Sequence, residues 1–182
     1  MSTFVTRELF GGAITASTVA DLVDASDLRQ VPDTQEVFMY SDSTISIVVE
    51  ILERVEPSDD YEAARFHFAS LAHDNDAAKS DVHESSIIPH DRVGDLTPPA
   101  IVLRGRQEVT KFNRRITDTV DILMALYRVQ DHNIDIVVTF NLPVETADAQ
   151  GAADPAQRAE ATSHFDVFAR SLRINDFNLF AS

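Results

Sequence analysis

The chain has 182 residues, 44% of them hydrophobic and 25% charged, which are ordinary values for a globular protein and argue against disorder. It contains no cysteine, which excludes disulfides, thiolate metal sites and a cysteine nucleophile. Its 30 acidic and 15 basic residues give a net charge of −15, which disfavours nucleic acid and anionic membrane surfaces as partners. At this length we expect one domain over residues 1–182.

The negative charge is unevenly distributed. Residues 1–103 carry 19 acidic and 6 basic side chains, whereas residues 104–182 carry 11 and 9. One interpretation is a solvated acidic surface that keeps the protein soluble, and the other is a face that meets a basic partner. Charge alone favours the first. No apolar run reaches the length of a membrane span, and the N-terminus lacks the features of a signal peptide.

Strand and turn signals come first along the chain. Gly11-Gly12, between two short apolar runs, predicts a tight turn or a bulge between strands. Apolar residues with a period of two predict a strand over residues 44–55. Asp59, with Glu62 three residues later, predicts the start of a helix that ends near residue 73. The residues expected on its buried face are Tyr61, Ala64, Phe68, Leu71 and Ala72.

The second half is predicted to be mainly antiparallel strands. A short strand is expected from Val82 to Ile88, followed by a loop rich in proline. Three further strands are predicted at Ile101 to Asn113, Thr119 to Val129 and Ile134 to Leu142, with a short turn at residues 131–133 joining the last two. The middle strand is apolar on both sides, which requires packing on both faces of the sheet.

A last helix and an apolar tail complete the predicted fold. Asp154, Pro155 and Gln157 form a helix-start pattern after a flexible-looking loop at residues 145–154. The residues expected on the buried stripe of this helix are Ala161, Phe165, Phe168 and Leu172. The fold class that follows is α+β, with a central, mostly antiparallel β-sheet sandwiched by helices on both faces.

Motifs of catalysis and cofactor binding are missing from the sequence. There is no phosphate-binding glycine loop and no serine-nucleophile elbow. The six histidines show no metal-ligand spacing, so each is interpreted as a surface or semi-buried residue. We therefore expect no enzyme activity, no metal and no cofactor.

Residues 21–36 hold five acidic side chains and one basic one. In the structural interpretation they form a solvated connector, in which Ser26 or Asp27 starts a short helical turn and Asp33 makes an Asx-turn. In the functional interpretation they form an acidic, hydrogen-bond-rich binding edge. The residues alone do not decide between the two.

Two further charged features stand out. Glu50 and Glu53 lie in or beside the strand predicted over residues 44–55, where alternation places them on opposite sides. Glu50 is expected to pair with a base of a neighbouring strand and Glu53 to lie in water at the strand end, although a partner protein could also satisfy Glu50. The basic run at residues 104–115 is interpreted as an intramolecular counterpart to the acidic half or as a hairpin surface.

Five segments resemble the Mog family of Ran guanine-nucleotide release factors. The most specific is the long acidic stretch discussed above. The segments are residues 9–15 (LFGGAIT), 24–38 (DASDLRQVPDTQEVF), 46–53 (SIVVEILE), 65–68 (RFHF) and 176–180 (DFNLF). The resemblance implies a Mog/PsbP-like αβα sandwich, the fold of the PsbP proteins of photosystem II. It also implies binding to the small GTPase Ran, release of its nucleotide and support of nuclear protein transport.

The resemblance implies partner-binding residues as well. Six acidic residues are carried over to the Ran-binding surface, and two polar neighbours are expected to orient them. The acids are Asp24, Asp27, Asp33, Glu36, Glu50 and Glu53, and the neighbours are Arg29 and Gln35. Family members often have aspartate in place of Glu50, which keeps the charge but shortens the side chain.

Two alternatives to a release factor remain open. One is an adaptor on the same fold that binds Ran or another protein without releasing nucleotide. The other is a small-molecule or metal site in the sandwich, by analogy of fold only. A monomer in the nucleus and cytoplasm is expected.

Overall fold

The computed structural model describes residues 2–90, 92–110, 117–146 and 151–181. Ten strands and two helices lie within these ranges. In chain order they are β1 (Phe4–Leu9), β2 (Ile14–Val19), β3 (Leu22–Asp24), β4 (Gln35–Tyr40), β5 (Ser46–Glu53), α1 (Asp60–Asp74), β6 (Ala77–Ile88), β7 (Ala100–Thr110), β8 (Thr117–Val129), β9 (Ile134–Glu145), α2 (Pro155–Ser171) and β10 (Arg173–Ile174).

The strands form a large and a small antiparallel sheet. The large sheet has seven strands in the order β3-β4-β5-β9-β8-β7-β6, and the small one has three in the order β1-β2-β10. Two runs of sequential hairpins, β3 to β5 and β6 to β9, meet where β5 pairs with β9. Glu50 lies opposite Gln35 on one side and opposite Val137 on the other. This register brings the acidic stretch beside the strand that carries Glu50 and Glu53.

The two helices cover opposite faces of the large sheet. The Asp59 carboxylate accepts a hydrogen bond from the Glu62 amide at 3.0 Å, so α1 begins where the sequence predicts, and it packs on β6, β7 and β8. Asp154 and Gln157 form a reciprocal capping box at the start of α2, which packs on β2, β8 and β9 and so lies between the two sheets. The α+β class and its antiparallel sheet are therefore confirmed.

The core has two parts, one on each face of the large sheet. Alternate β8 residues face α2 or α1, which confirms the expected packing on both sides of this strand. Those facing α2 are Leu123, Ala125, Tyr127 and Val129, and those facing α1 are Ile122, Met124 and Leu126. All four residues expected on the stripe of α2 are buried. On α1 the prediction is partly wrong, since Tyr61 is 40% exposed while Ala63 and His67 are buried.

The turn between β1 and β2 is as predicted, whereas β6 is longer than predicted. β6 begins at Ala77, well before the predicted Val82, and most of its side chains are exposed. Gly11 and Gly12 form the predicted turn between β1 and β2, with φ angles of 69° and 92° that favour glycine. The predicted strand at residues 101–113 is observed to Thr110, and residues 111–113 lie outside the described ranges.

Candidate functional site

The acidic stretch begins with a cap at Asp24. Its Oδ1 atom accepts hydrogen bonds from the Ser26 amide at 2.9 Å and the Ser26 hydroxyl at 2.7 Å, and a single 3-10 turn follows at Ala25–Asp27. The expected helical turn therefore exists, but its cap is Asp24 and the expectation of Ser26 or Asp27 was wrong. Asp24 thus has a structural task, which leaves Asp27 as the exposed acid of this turn.

The exposed loop after this turn is tied to β5. The Gln35 amide donates to the Pro32 carbonyl at 2.9 Å, which closes a turn around Asp33 through the backbone and not through the Asp33 side chain, as the expected Asx-turn would. The Ile51 amide donates to the Thr34 carbonyl, also at 2.9 Å, and so fixes the end of the loop beside β5. Asp33 is exposed on a short turn anchored at both ends, and Arg29 is exposed earlier in the same loop.

Gln35 and Glu50 form a direct pair. They lie opposite each other in the β4–β5 register, and the Gln35 side-chain amide donates to Oε2 of Glu50. The expected basic partner of Glu50 is therefore wrong, because a neutral amide satisfies one carboxylate oxygen and leaves the negative charge in place. Both residues are half-buried, and Glu53 is exposed at the end of β5, as expected.

Glu36 differs from the other predicted acids. One of its carboxylate oxygens accepts a hydrogen bond from the Phe10 amide at 2.9 Å, where Phe10 has a positive φ of 50°. Glu36 therefore stabilises the turn between β1 and β2 in a conformation that a residue with a side chain rarely adopts. A substitution of Glu36 would disturb this turn as well as any partner contact.

Four acidic side chains from two distant segments thus lie at one corner of the large sheet, two on the segment between β3 and β4 and two on opposite faces of the end of β5. We name this surface the acidic corner, and it consists of Asp27, Asp33, Glu50 and Glu53. Leu28 lies between the first two and is 70% exposed. The corner combines negative charge with an apolar side chain on backbone that hydrogen bonds hold in place, and it offers a basic partner both attraction and contact area.

A buried charged network next to the acidic corner was missed by the sequence analysis. Asp135 is fully buried, and its carboxylate accepts hydrogen bonds from His67 at 2.8 Å and from Arg128 at 3.2 Å. The only signal in the sequence is a charged residue inside each of two apolar strands. Because Arg128 and Asp135 are cross-strand neighbours in β8 and β9, the strand prediction could have paired them.

The network anchors the connection that leaves β5. The Arg128 guanidinium donates to the carbonyls of Val55 and Pro57, and Asp135 accepts from the Val55 amide at 3.2 Å. Burial alone would raise the pKa of Asp135, but the hydrogen bonds from His67 and Val55 and the charge of Arg128 outweigh it, so the pKa is lowered. Asp135 therefore stays ionised and holds the segment that follows Glu53.

The second buried histidine links the N-terminus to β4. His164 accepts or donates a hydrogen bond at each ring nitrogen, to Ser2 and to Tyr40, each at 2.8 Å. Burial lowers its pKa, against the opposing charges of Glu160 and Asp42.

Among the described residues no group of three or more histidine, aspartate or glutamate side chains is arranged to hold a metal ion. Neither helix of the described ranges is long and apolar enough to cross a membrane.

Fold and site together define the class: an antiparallel α+β sandwich that presents an acidic, exposed and firmly anchored corner on its large sheet. The chain belongs to the family of Ran-interacting Mog1 proteins, whose model matches residues 7–143. The resemblance drawn from the sequence is thereby confirmed.

Named relatives and a solved structure agree with this membership. The chain is 33% identical to a Ran guanine nucleotide release factor of Danio rerio, over 97% of this chain and all of that protein. It is 30% identical to the nuclear import protein MOG1 of Saccharomyces cerevisiae, over 96% and 84% of the two chains. The crystal structure of the S. cerevisiae Ran-binding protein Mog1p matches with a TM-score of 0.77 and 28% identity over the full length of both chains.

Proposed function

We propose that this protein is a Ran-binding guanine-nucleotide release factor that supports nuclear protein import, acts through the acidic corner and has no enzymatic chemistry of its own. The observation that carries the proposal is the hydrogen bond between the Ile51 amide and the Thr34 carbonyl, which places Asp33 beside the strand of Glu50 and Glu53. Family membership supports Ran as the partner. A single-domain monomer in the nucleus and cytoplasm, without a nucleic-acid or membrane partner, is part of the same proposal.

Release follows from binding by thermodynamic linkage. A partner that binds nucleotide-free Ran more tightly than nucleotide-bound Ran must lower the affinity of Ran for nucleotide by the same factor. No side chain of this protein has to react. The surface needs only to prefer one state of Ran, and four acidic groups on a fixed backbone can do so where basic side chains of Ran become available.

The first experiment is the release rate of a fluorescent GTP analogue from Ran, with and without this protein, at low salt. We expect an acceleration that saturates as the protein concentration rises, because release then occurs from a complex. The Asp33→Lys variant serves as the control, since it alters the acidic corner and leaves the buried core unchanged. Binding to Ran without faster nucleotide release would mean that the protein is an adaptor and not a release factor. The absence of both binding and faster release would reject Ran as the partner.

The association rate with Ran is expected to fall several-fold as ionic strength is raised from about 0.05 to about 0.5 M. Salt shortens the Debye length from more than about 10 Å to about 4 Å, so the attraction between the acidic corner and a basic surface acts over a shorter distance. Stopped-flow measurement of the on-rate over this range tests the expectation. A rate that does not change with salt would indicate that apolar contacts govern the encounter.

A further inference from the structure

A second charged surface lies away from the acidic corner, on the α2 side of the large sheet. It is a groove of about 300 Å³ between the first turns of α2 and the strands β6, β7 and β8. Arg104, Arg106 and Arg158 line it, together with the apolar side chains of Leu123 and Leu142. The groove includes the two described arginines of the basic run at residues 104–115, and α2 supplies a third that the sequence pattern did not connect with them.

Arg104 has an unused hydrogen-bond donor in this groove. Its Nε atom is buried and makes no hydrogen bond within the described part of the chain. Oε1 of Glu84 lies 3.6 Å from it, beyond hydrogen-bonding distance, and the Glu84 side chain is 66% exposed. An exposed ion pair of this length contributes little, so an incoming anion can displace Glu84 at low cost.

Arg106 shows which anion suits the groove. Its guanidinium makes two hydrogen bonds to the Asp121 carboxylate, at 2.6 and 3.1 Å. The planar fork of arginine matches a carboxylate in this way. Arg158 uses one nitrogen to donate to the Ala153 carbonyl, and its guanidinium also lines the groove.

We propose that this groove binds a short segment of a partner protein that is rich in aspartate and glutamate. Arg106 is held by Asp121 and is also attracted by Glu145, so the cations that the groove offers are Arg104, whose pairing with Glu84 is long, and Arg158, which forms no ion pair with a described residue. The chain as a whole has a net charge of −15. The overall field repels a polyanion, and capture of an acidic segment therefore requires direct contacts within the groove.

The test uses a fluorescein-labelled hexaglutamate peptide and the full chain, with binding followed by fluorescence anisotropy. Arg104→Gln and Arg158→Gln are each expected to weaken binding about three- to tenfold, because each removes one charge-assisted contact. Arg170→Gln is the matched control, since Arg170 lies on the same helix, is 56% exposed and pairs with Asp166 outside the groove. Its affinity is expected to stay within about twofold of the parent, and circular dichroism checks the fold of each variant.

Three results would overturn the proposal. The first is no binding of hexaglutamate at low salt, and the second is an equal loss of affinity in all three variants. The third is binding of inorganic phosphate or of a phosphoserine peptide, without binding of hexaglutamate, which would assign the groove to phosphate. None of these results depends on Ran, so they leave the proposed release activity untouched.

Discussion

Asp33→Lys is expected to weaken binding to Ran by about tenfold or more and to leave the fold unchanged. The substitution reverses one charge of the acidic corner and puts a cation where a basic partner must approach. Asp33 is exposed, and its turn is closed by backbone hydrogen bonds from Gln35 and Ile51, which a lysine does not remove. Titration calorimetry against Ran measures the affinity, and thermal unfolding measures the stability.

The matched control for this variant is Asp74→Lys. Asp74 is exposed at the end of α1, which packs toward the opposite edge of the large sheet. The Asp74→Lys substitution changes the net charge by the same amount as Asp33→Lys, and a lysine at a helix C-terminus is favourable for the helix. If Asp74→Lys weakens binding as much as Asp33→Lys, net charge and not the acidic corner governs the affinity. Unchanged affinity in a folded Asp33→Lys variant would remove Asp33 from the interface.

Glu50→Lys is expected to act in the same direction, with an added structural effect. It removes the acceptor of the Gln35 amide as well as the negative charge. A loss of binding with a small loss of stability is therefore expected for this variant. Asp33 gives the cleaner test because its side chain is exposed on a turn formed by the backbone.

Asp135→Ala is expected to lower the free energy of unfolding by about 3–5 kcal/mol. The Arg128 side chain is only 3% exposed, so the substitution leaves its charge buried without a counter-charge. It also removes the acceptor of His67 and of the Val55 amide, which a water molecule cannot readily replace at a fully buried position. Urea unfolding followed by circular dichroism measures the effect.

Asp121→Ala provides a matched control for this second variant. Asp121 pairs with Arg106 across β7 and β8, as Asp135 pairs with Arg128 across β8 and β9. The Asp121 pair is more exposed, at 30% and 43% for the acid and the base, so its loss is expected to cost less than about 1 kcal/mol. Similar losses in the two variants would contradict the argument that burial makes the Asp135 network strong.

The pH dependence gives an independent check on Asp135. Because its folded pKa lies below the usual 3.8, its ionised form stabilises the fold above about pH 4, and this contribution is lost as the pH falls through the lowered pKa. The parent protein should therefore lose stability over this acid range. Asp135→Ala starts from a lower stability and should lose less of it there, because the titrating group is absent.

The sequence predicts correctly the helix starts, because each depends on residues that are close together along the chain. The starts of α1 and α2 were correct because a capping side chain and its amide partner are three residues apart. β6 was predicted too short because it is an edge strand whose side chains are mostly exposed. Its pairing with β7, and not an alternation of buried residues, defines its length.

The site was less predictable because it depends on register and on distant contacts. Alternation placed Glu50 on one face of β5, but its pairing with Gln35 follows from the turn that joins β4 to β5. The Glu36 bond to Phe10 and the His67 bond to Asp135 span 26 and 68 residues, and neither follows from spacing along the chain. The family resemblance named the acids, and the structure separated those with structural tasks from those that are exposed.

The pairing of β5 with β9 has a consequence for synthesis on the ribosome. Ile47 lies opposite Phe140, which is 93 positions further along the chain, although β5 and β9 are adjacent in the large sheet. Until β9 has left the exit tunnel, β5 is a sheet edge with free hydrogen-bonding groups, open to wrong pairing with other nascent chains. The small sheet has an even larger separation, because Ile14 pairs with Ile174. Folding is therefore expected to be slow and to finish only after β9 and β10 have left the exit tunnel, and the surface that carries Glu50 is complete only when β9 has paired with β5.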